Sequence, residues 1–476
     1  MLGQTPFLFP HTTTNPVMKH LLSFLVIVSL SSTLNANDAF SKKMIELYPK
    51  VDTDNDGTLS KSEEAAVTQQ ILNRFPKLDK DGDGALSTAE KENLLRIAAN
   101  REKKTADPTI PQNPKQMQRQ GTSLSVILQN AVEQNQVAGC SFLVMHRGEV
   151  VFREAVGYAD LKSKRPFTTN ELCPIASVSK PFLASVLMVL VEHGKLKLND
   201  PVAKYLPEFK DAKIQGGQTS AQPMTIQHLL SHTGGFWGNK GVSPEKVDLI
   251  RNFTRPLSNA VTGIANHDLL YEPGTKFNYS GAGYCVAGRV AEVILEQSLE
   301  QIAQETLFRP MGLKRTTYLP SKTILQTIPT RYLKKSGGLQ SQPSLCDIED
   351  IQFILPGGSL FTTMDEMASF GQLHLNDGMH KGKRILSEAS IAEMRRLQTP
   401  KRASRTYGLG WFRDDVDDSG LADLIFHGGA LGAHLRVDRN REMVCVFLVH
   451  QTGEQVAPLK NKLIERVNER FPITKP

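Results

Sequence analysis

Cysteine is scarce in this sequence: five residues are spread over 476 positions, and no two of them form a Cys-x-x-Cys pair. They are Cys140, Cys173, Cys285, Cys346 and Cys445. An odd, widely spaced set argues against a disulfide framework and against a cysteine-ligated metal site, although the spacing leaves one unassigned disulfide open. Three of them (Cys140, Cys285 and Cys445) stand in apolar stretches, which predicts buried thiols.

Long runs of one charge are also missing. The formal net charge is +7, from 56 basic and 49 acidic residues, and the excess is dispersed along the chain. A protein that binds nucleic acid concentrates its Lys and Arg on one surface, so we predict no nucleic-acid partner. The composition, with 40% hydrophobic and 22% charged residues, is that of folded domains, and the length predicts two or three of them.

The apolar run near the start, Leu21–Leu30, is too short to span a bilayer comfortably. It follows the basic stretch Met18-Lys19-His20 and precedes small and polar residues up to Ala36, which is the layout of a signal peptide. We therefore interpret residues 1–36 as a signal peptide, with Met18 as a candidate initiator and an uncleaved anchor as the alternative. The expected location is periplasmic or extracellular, where association with the cell envelope is an option.

Two acidic twelve-residue stretches lie in residues 37–100. Both resemble the calcium loop of EF-hands, in which carboxylates at loop positions 1, 3 and 5, a backbone carbonyl at position 7 and a glutamate at position 12 supply oxygen ligands. The predicted ligands are Asp52, Asp54, Asp56, Thr58 and Glu63 in the first loop and Asp79, Asp81, Asp83, Ala85 and Glu90 in the second.

The short separation of the two loops favours a structural role for calcium. The stretch between them, Glu64 to Leu78, has room for one helix instead of two helices and a linker. We expect two structural Ca²⁺ sites in a compact unit, rather than a sensor that opens a groove, and we expect no catalytic metal. Two solvated acidic turns are the alternative.

Residues 101–121 have the composition of a linker, with three prolines, four glutamines and few apolar residues. The large domain, residues 122–476, begins with two apolar runs across Arg147-Gly148 that predict a hairpin, and it ends with two predicted strands and an amphipathic helix. A mainly helical stretch lies between. This order predicts an α+β fold, in which an antiparallel sheet is completed by both ends of the domain and carries flanking helices and an inserted helical region.

A serine and a lysine three residues apart form the candidate catalytic pair. Ser177 and Lys180 precede the apolar run Phe182–Val191, which predicts a helix with Ser177 in its first turn. Such a helix start offers free N–H groups beside the hydroxyl, and a buried lysine of lowered pKa can take the serine proton. Ser243 and Lys246 repeat the spacing, so the pair alone is not specific.

Further stretches in a fixed order supply the specificity. Tyr279-Ser280-Gly281 precedes a predicted helix, Leu229–Gly235 and Met311-Gly312-Leu313 lie before and after it, and His427-Gly428-Gly429-Ala430 precedes the last strands. With these motifs, the chain from about 122 to 460 resembles the serine β-lactamase family, in its class C β-lactamase, DD-peptidase and esterase branch. The resemblance implies a β-lactamase/transpeptidase-like fold and hydrolysis through an acyl-enzyme.

The resemblance also implies a role for each motif. Ser177 would be the acylated nucleophile and Lys180 its proton partner. Tyr279 would act with Lys180, as base for the attack and as acid for the leaving group, which suits a tyrosine only if Lys180 lowers its pKa from about 10 toward neutrality. His427 would open the third motif on the strand that edges the pocket. The backbone N–H groups of Ser177 and Ala430 would form the oxyanion hole.

Two residues depart from the lactamase pattern. Gly281 stands where lactamases carry an asparagine, and His427 stands where they carry a lysine. A histidine occurs at the second position in esterases, D-aminopeptidases and some DD-peptidases of the family. We therefore favour an esterase or a D-amino-acid-type peptidase acting on a small ester, amide or peptide. The alternatives are a DD-carboxypeptidase or β-lactamase acting on cell-wall peptide or β-lactam, and an inactive calcium-dependent scaffold. We interpret His232 as a structural residue that hydrogen-bonds its loop.

Overall fold

The chain divides into two compact units, Met1–Pro114 and Lys115–Pro476. The computed structural model describes residues 52, 57–74, 83–88, 90–91, 122–239, 241–348, 351–352, 354–401 and 403–473. The predicted signal peptide and linker lie outside these residues. No helix in the described part of the chain has both the length and the apolar character needed to cross a membrane.

The first unit contains helix α1 (Lys61–Arg74), at the position predicted between the two acidic loops. Gly57 and Gly84, the sixth residue of each loop, have φ angles of +82° and +79°. Glycine adopts this left-handed backbone without the steric cost that a Cβ atom would add. Four predicted calcium ligands lie outside the described residues: Asp54, Asp56, Asp79 and Asp81.

The second unit has strands near both of its ends and mainly helices between them. Its helices are α2 (Thr122–Glu133), α3 (Ser179–Glu192), α4 (Ile226–Leu230), α5 (Pro244–Arg251), α6 (Leu257–Ala265), α7 (Gly281–Leu295), α8 (Leu299–Ala303), α9 (Arg309–Met311), α10 (Lys322–Leu325), α11 (Met364–Leu375), α12 (Glu388–Arg395) and α13 (Gly453–Arg470). Its strands are β1 (Gly139–His146), β2 (Glu149–Asp160), β3 (Arg165–Pro166), β4 (Cys173–Pro174), β5 (Tyr332–Lys335), β6 (Gly338–Ser341), β7 (Phe361–Thr362), β8 (Met379–His380), β9 (Lys383–Arg384), β10 (Phe412–Val416), β11 (Ala422–Gly428), β12 (His434–Asp438) and β13 (Met443–Val449).

A seven-stranded antiparallel sheet forms the centre of this unit, in the order β10-β11-β12-β13-β1-β2-β3. Strands from the two ends of the unit meet in its middle, where Phe142 of β1 lies opposite Phe447 of β13 and Glu154 of β2. The β1–β2 hairpin turns at Arg147 and Gly148, whose φ angles of +52° and +83° suit a two-residue hairpin turn. The predicted α+β fold, with an antiparallel sheet completed by both ends of the domain, is confirmed.

Helices cover both faces of the sheet. On one face, α2 and α13 pack together and bury Leu128 and Leu463 completely. On the other face, α11 packs against β1, β12 and β13. Phe182 of α3 stacks on Phe370 of α11 with ring centroids 3.7 Å apart, so α3 lies within the larger core. Every residue of α3 from Ser179 to Leu190 is buried, as expected of a central helix that is apolar all round.

The helix after Ser177 begins later than the sequence predicts. α3 begins at Ser179, and Ser177 lies in a preceding 3₁₀ turn, Ala176–Val178. Ala176 has a φ of +47°, a left-handed conformation that is uncommon for a residue with a Cβ atom. The structure therefore holds Ser177 on a tight turn ahead of the helix, instead of in its first turn.

Four cysteines of the second unit, Cys140, Cys173, Cys285 and Cys445, are buried free thiols. Burial raises the pKa of Cys140, Cys285 and Cys445 to about 12, so these thiols stay protonated. They behave as small apolar side chains, as their sequence surroundings predict. The side chain of Cys346 lies outside the described part of the chain.

Candidate active site

The amine of Lys180 is buried beside the nucleophile. Lys180 is 2% exposed, and its Nζ lies 3.1 Å from Ser177 Oγ and 2.8 Å from the carbonyl oxygen of Gly357. Burial lowers the pKa of Lys180 from 10.5 to about 7, because an ammonium ion loses its water shell there. Near neutral pH much of the amine is therefore uncharged. It can donate a hydrogen to Gly357 and accept the proton of Ser177 with its lone pair.

A side chain at Gly357 would crowd the residues that form this contact. A Cβ atom at this position would lie 3.0 Å from Tyr284 Cβ and 3.1 Å from Lys180 Cγ. Tyr284 is itself fixed, because its hydroxyl donates to the carbonyl oxygen of Leu230 at 2.8 Å. The segment 356–359 thus contributes a backbone acceptor to the site. Sequence patterns did not reveal this role, since any residue type has a carbonyl group.

Tyr279 reaches the same serine from the loop that precedes α7. Lys180 Nζ lies 4.8 Å from the centre of the Tyr279 ring, and the tyrosine hydroxyl is close enough to the Ser177 side chain to interact with it. Burial raises the pKa of Tyr279, and the interaction with Ser177 only partly opposes that rise. The tyrosine is therefore a phenol in the free protein, whereas the neutral Lys180 amine can accept a proton. The condition that Lys180 lowers the Tyr279 pKa toward neutrality is therefore not met, because desolvation of the phenolate dominates.

His427, at the end of β11, is completely buried, and protein groups occupy both of its ring nitrogens. Its Nδ1 lies 2.9 Å from the carbonyl oxygen of Gly428, and a carbonyl only accepts, so Nδ1 carries the proton. Its Nε2 therefore accepts from the Tyr407 hydroxyl at 3.1 Å. Burial and the nearby charge of Lys180 lower the pKa of His427 to about 3. The imidazole is thus neutral and supplies neither a cation nor a free base.

The turn after His427 lies against the segment that carries the nucleophile. A Cβ atom on Gly429 would lie 2.3 Å from the carbonyl oxygen of Ile175 and 3.3 Å from Ala176 Cβ, so only a glycine permits this approach. The next residue is Ala430, whose N–H donates to no acceptor among the described residues. Its carbonyl oxygen is held by the N–H of Gly453 at 2.9 Å. This arrangement suits an oxyanion-hole donor, which must be free until charge develops.

The side-chain amide of Asn239, from another loop, lies beside Gly281, the position where lactamases carry an asparagine. The N–H of Gly281 donates to Asn239 Oδ1 at 2.8 Å, and a Cβ atom at 281 would lie only 3.2 Å from that oxygen. Asn239 is half-buried. Nothing in the sequence pointed to Asn239, because 42 residues separate it from Gly281.

The structure brings Ser177, Lys180, Tyr279 and His427 into one site, although the sequence separates the first and last by 250 positions. The ring centroids of Tyr279 and His427 are 6.1 Å apart. A serine with a neutral amine at hydrogen-bond distance, a phenol on the same oxygen and a nearby free N–H are the parts that acyl transfer needs. His232, 3% exposed, packs on Tyr279.

Known proteins resemble this chain over the same domain. A family model described as Beta-lactamase matches residues 124–469. Penicillin-binding protein 4 of Amycolatopsis lactamdurans is 30% identical over 295 residues, which cover 60% of this chain and 73% of that protein. Protein flp of Staphylococcus aureus (strain MW2) is 24% identical over 356 residues, covering 73% of this chain and 66% of flp, so the chain spans just under two thirds of its length.

A solved structure described as a family VIII carboxylesterase has the same fold, with a TM-score of 0.59. The match covers 73% of this chain and 96% of that protein at 22% identity. At this identity the likeness shows the fold alone.

The pH dependence of ester hydrolysis should follow the Lys180 amine. Because the neutral amine is the base and its pKa is about 7, kcat/KM should rise as the pH increases through about 7 and level off above it. Lys180→Arg, which stays charged, should lower kcat by about 10²–10⁴-fold and remove this rise. Initial rates from about pH 5 to pH 9 measure both effects. The exposed Lys195→Arg is the matched control, and a flat wild-type profile would contradict the assignment.

Proposed function

Since the chain belongs to the Beta-lactamase family, it is a serine hydrolase, and we propose that it acts as an esterase or D-amino-acid-type peptidase on substrates that carry no carboxylate beside the scissile bond. The observation that carries this choice is the neutral, fully hydrogen-bonded His427. A substrate carboxylate would lose its hydration on binding beside His427. This ring offers it neither a positive charge nor a free N–H in exchange, so binding it there is unfavourable.

Acylation begins with the neutral Lys180 amine. It takes the proton of Ser177 while Oγ bonds to the substrate carbonyl carbon, and the N–H groups of Ser177 and Ala430 stabilise the oxyanion. When the carbonyl re-forms, the bond to the leaving group breaks and the Tyr279 hydroxyl gives that group its proton. The Lys180 ammonium then returns a proton to Tyr279. The cycle ends this half-reaction with a neutral amine and a phenol, as it began.

Deacylation uses the same groups with water as the nucleophile. Lys180 takes one proton of the water, the hydroxide oxygen bonds to the acyl carbon, and the second tetrahedral intermediate expels Ser177 Oγ. Tyr279 and Lys180 return the proton to that oxygen, and the acid product leaves. The contacts among these three side chains oppose the alternative of an inactive scaffold, because an unused site has no need to bury a lysine amine against a serine.

A matched pair of esters tests the proposed substrate class. Phenyl butyrate and 3-carboxyphenyl butyrate share an acyl group and differ in one carboxylate on the leaving group. After correction for their rates with hydroxide, kcat/KM should favour the uncharged ester by at least about tenfold, because an unsatisfied buried polar group costs about 1–3 kcal/mol and a charged group costs more. His427→Lys should selectively raise the rate on the carboxylate ester.

Three results would contradict the proposed class. They are a wild-type preference for the carboxylate ester, no selective gain in His427→Lys, or hydrolysis of a chromogenic cephalosporin faster than of phenyl butyrate. The last result would favour the β-lactamase alternative, and hydrolysis of a peptide ending in two D-alanines would favour the DD-carboxypeptidase.

We further propose that the first unit binds two Ca²⁺ ions and that the chain is exported through residues 1–36. The two loops share a hydrogen-bond pattern: the closing carboxylates of Glu63 and Glu90 accept the N–H groups of Ser60 and Ser87 at 2.9 Å. Both glutamates are buried, as is Asp52, whose carboxylate accepts the N–H of Gly57 at 2.9 Å. Loops folded around carboxylate oxygens in this way fit a hard cation.

In the described residues alone, no group of three or more His, Cys, Asp or Glu side chains lies close enough to hold a metal. The full ligand sets would add the predicted Asp54 and Asp56 to the first loop and Asp79 and Asp81 to the second. The bound ions would neutralise the clustered carboxylates and tie each loop to its helix. We propose this as a structural function, separate from hydrolysis.

Calcium removal should therefore change stability but not turnover. With EGTA, the thermal transition of the first unit should move down, since a ligand at about 100 times its Kd stabilises by about 2.7 kcal/mol. Initial rates on phenyl butyrate at 25 °C should stay the same. In the double variant Glu63→Gln/Glu90→Gln, the thermal transition of the first unit should already lie below that of the wild type, and EGTA should lower it no further. A change in turnover without unfolding of the first unit would contradict this role.

A further inference from the structure

The catalytic tyrosine is carried by residues 271–280, which form neither helix nor strand. A phenol that must exchange a proton with Ser177 needs its ring fixed to within a fraction of an ångström. A loop has no regular hydrogen bonds of its own to do this. Some other part of the fold must hold Tyr279 in place.

The segment 232–235 holds this loop by main-chain hydrogen bonds. The carbonyl oxygen of Gly235 accepts the N–H of Leu270 at 2.7 Å, and that of Thr233 accepts the N–H of Gly274 at 2.8 Å. The close approach requires glycine at 235, whose φ is +84° and where a Cβ atom would lie 2.5 Å from the carbonyl oxygen of Tyr271. The two segments therefore run against each other up to the tyrosine.

His232 makes the last two contacts of this series, and they lie on both sides of Tyr279. Its carbonyl oxygen accepts the N–H of Asn278 at 2.9 Å, and its Nδ1 accepts the N–H of Ser280 at 3.1 Å. Its ring also packs on the Tyr279 ring, with centroids 4.3 Å apart. One residue thus fixes the backbone before the tyrosine, the backbone after it and one face of its ring.

The backbone of His232 is bent to make both contacts. Its φ is +59°, in the left-handed region that histidine, asparagine and aspartate enter more readily than other residues with a Cβ atom. Such conformations cost free energy and persist where the surrounding structure determines them. Here the rings of Tyr284 and Tyr407 lie 5.0 Å and 4.9 Å from the imidazole.

The imidazole acts as an acceptor and not as a proton carrier. Because Nδ1 accepts the Ser280 N–H, the ring proton is on Nε2, which is buried without a partner among the described residues. Burial lowers the pKa of His232 well below its usual range, and repulsion from Lys180 and His427 in their protonated forms lowers it further. The histidine is therefore neutral near pH 7.

We propose that His232 is the positioning residue of Tyr279, a role that rests on the proposed serine-hydrolase mechanism. It clamps the N–H groups of residues 278 and 280 and supports the phenol ring, so that the hydroxyl meets Ser177 and the leaving group. Its effect on the reaction passes entirely through Tyr279. This extends the interpretation from the sequence, in which His232 only stabilised its own loop.

A double-mutant cycle between His232 and Tyr279 tests this role, with phenyl butyrate as substrate. His232→Ala should lower kcat by about 10²-fold and change KM little, as expected when a reacting group is misplaced by about 1 Å. Tyr279→Phe should lower kcat by about 10²–10⁴-fold. In the Tyr279→Phe background, adding His232→Ala should lower kcat by less than about a further threefold, because there is no longer a hydroxyl to position.

Two further variants separate positioning from general stability. His232→Asn keeps an acceptor near the Nδ1 position and tolerates a positive φ, so it should fold and recover most of the lost kcat. His228→Ala is the matched control: His228 also accepts a backbone N–H through Nδ1, that of Thr225 at 3.3 Å, but it caps α4. It should lower the Tm and leave kcat unchanged.

Three outcomes would overturn the role of His232. The first is an equal loss of kcat from His232→Ala in the tyrosine and phenylalanine backgrounds. The second is a lower Tm with unchanged kcat. The third, which decides the matter if His232→Ala does not fold, is a well-folded His232→Asn as inactive as Tyr279→Phe. Failure of the proposed function is a different result, since the wild type would then hydrolyse neither ester. A preference for the charged ester would change only the substrate used in the cycle.

Discussion

The burial of one lysine amine is the constraint on which the active site depends. Lys180 is in the first turn of a helix that is buried on every side, so its amine cannot reach bulk water. An ammonium ion there would lose most of its hydration free energy, and the group responds by holding its proton less tightly. The carbonyl of Gly357 and the hydroxyl of Ser177 complete its hydrogen bonding. The tight turn at Ala176–Val178 and the close approach of residue 357 both serve this contact.

The same burial sets the charge of the whole site. It lowers the pKa of the bases Lys180, His232 and His427 and raises that of the acid Tyr279, so that near neutral pH the resting site contains little charge. Charge then develops mainly during the reaction, on the substrate oxygen and on Lys180. An oxyanion hole is most effective in such a setting, because its donors face no competing anion and are not screened by water.

The sequence predicted the fold and the side chains that meet at the candidate site, because both leave patterns in residue type. Two apolar runs across Arg147-Gly148 predicted the β1–β2 hairpin, and spacing with family order brought Ser177, Lys180 and Tyr279 together. It could not predict contacts made by the backbone or by residues far apart in the chain. The carbonyl of Gly357, the Tyr407 hydroxyl on His427 and the Asn239 amide beside Gly281 are of this kind. The Tyr279 pKa was also beyond the reach of the sequence, since the shift depends on burial, which only the packed structure reveals.

Covalent labelling tests whether the buried Lys180 activates Ser177. Intact mass spectrometry would follow purified protein treated with a fluorophosphonate probe, which reacts with activated serines, beside Ser177→Ala and Lys180→Arg. We predict a single adduct on the wild type, none on Ser177→Ala and much slower labelling of Lys180→Arg. Well-folded wild-type protein that takes up no label, or an adduct that persists in Ser177→Ala, would contradict this activation.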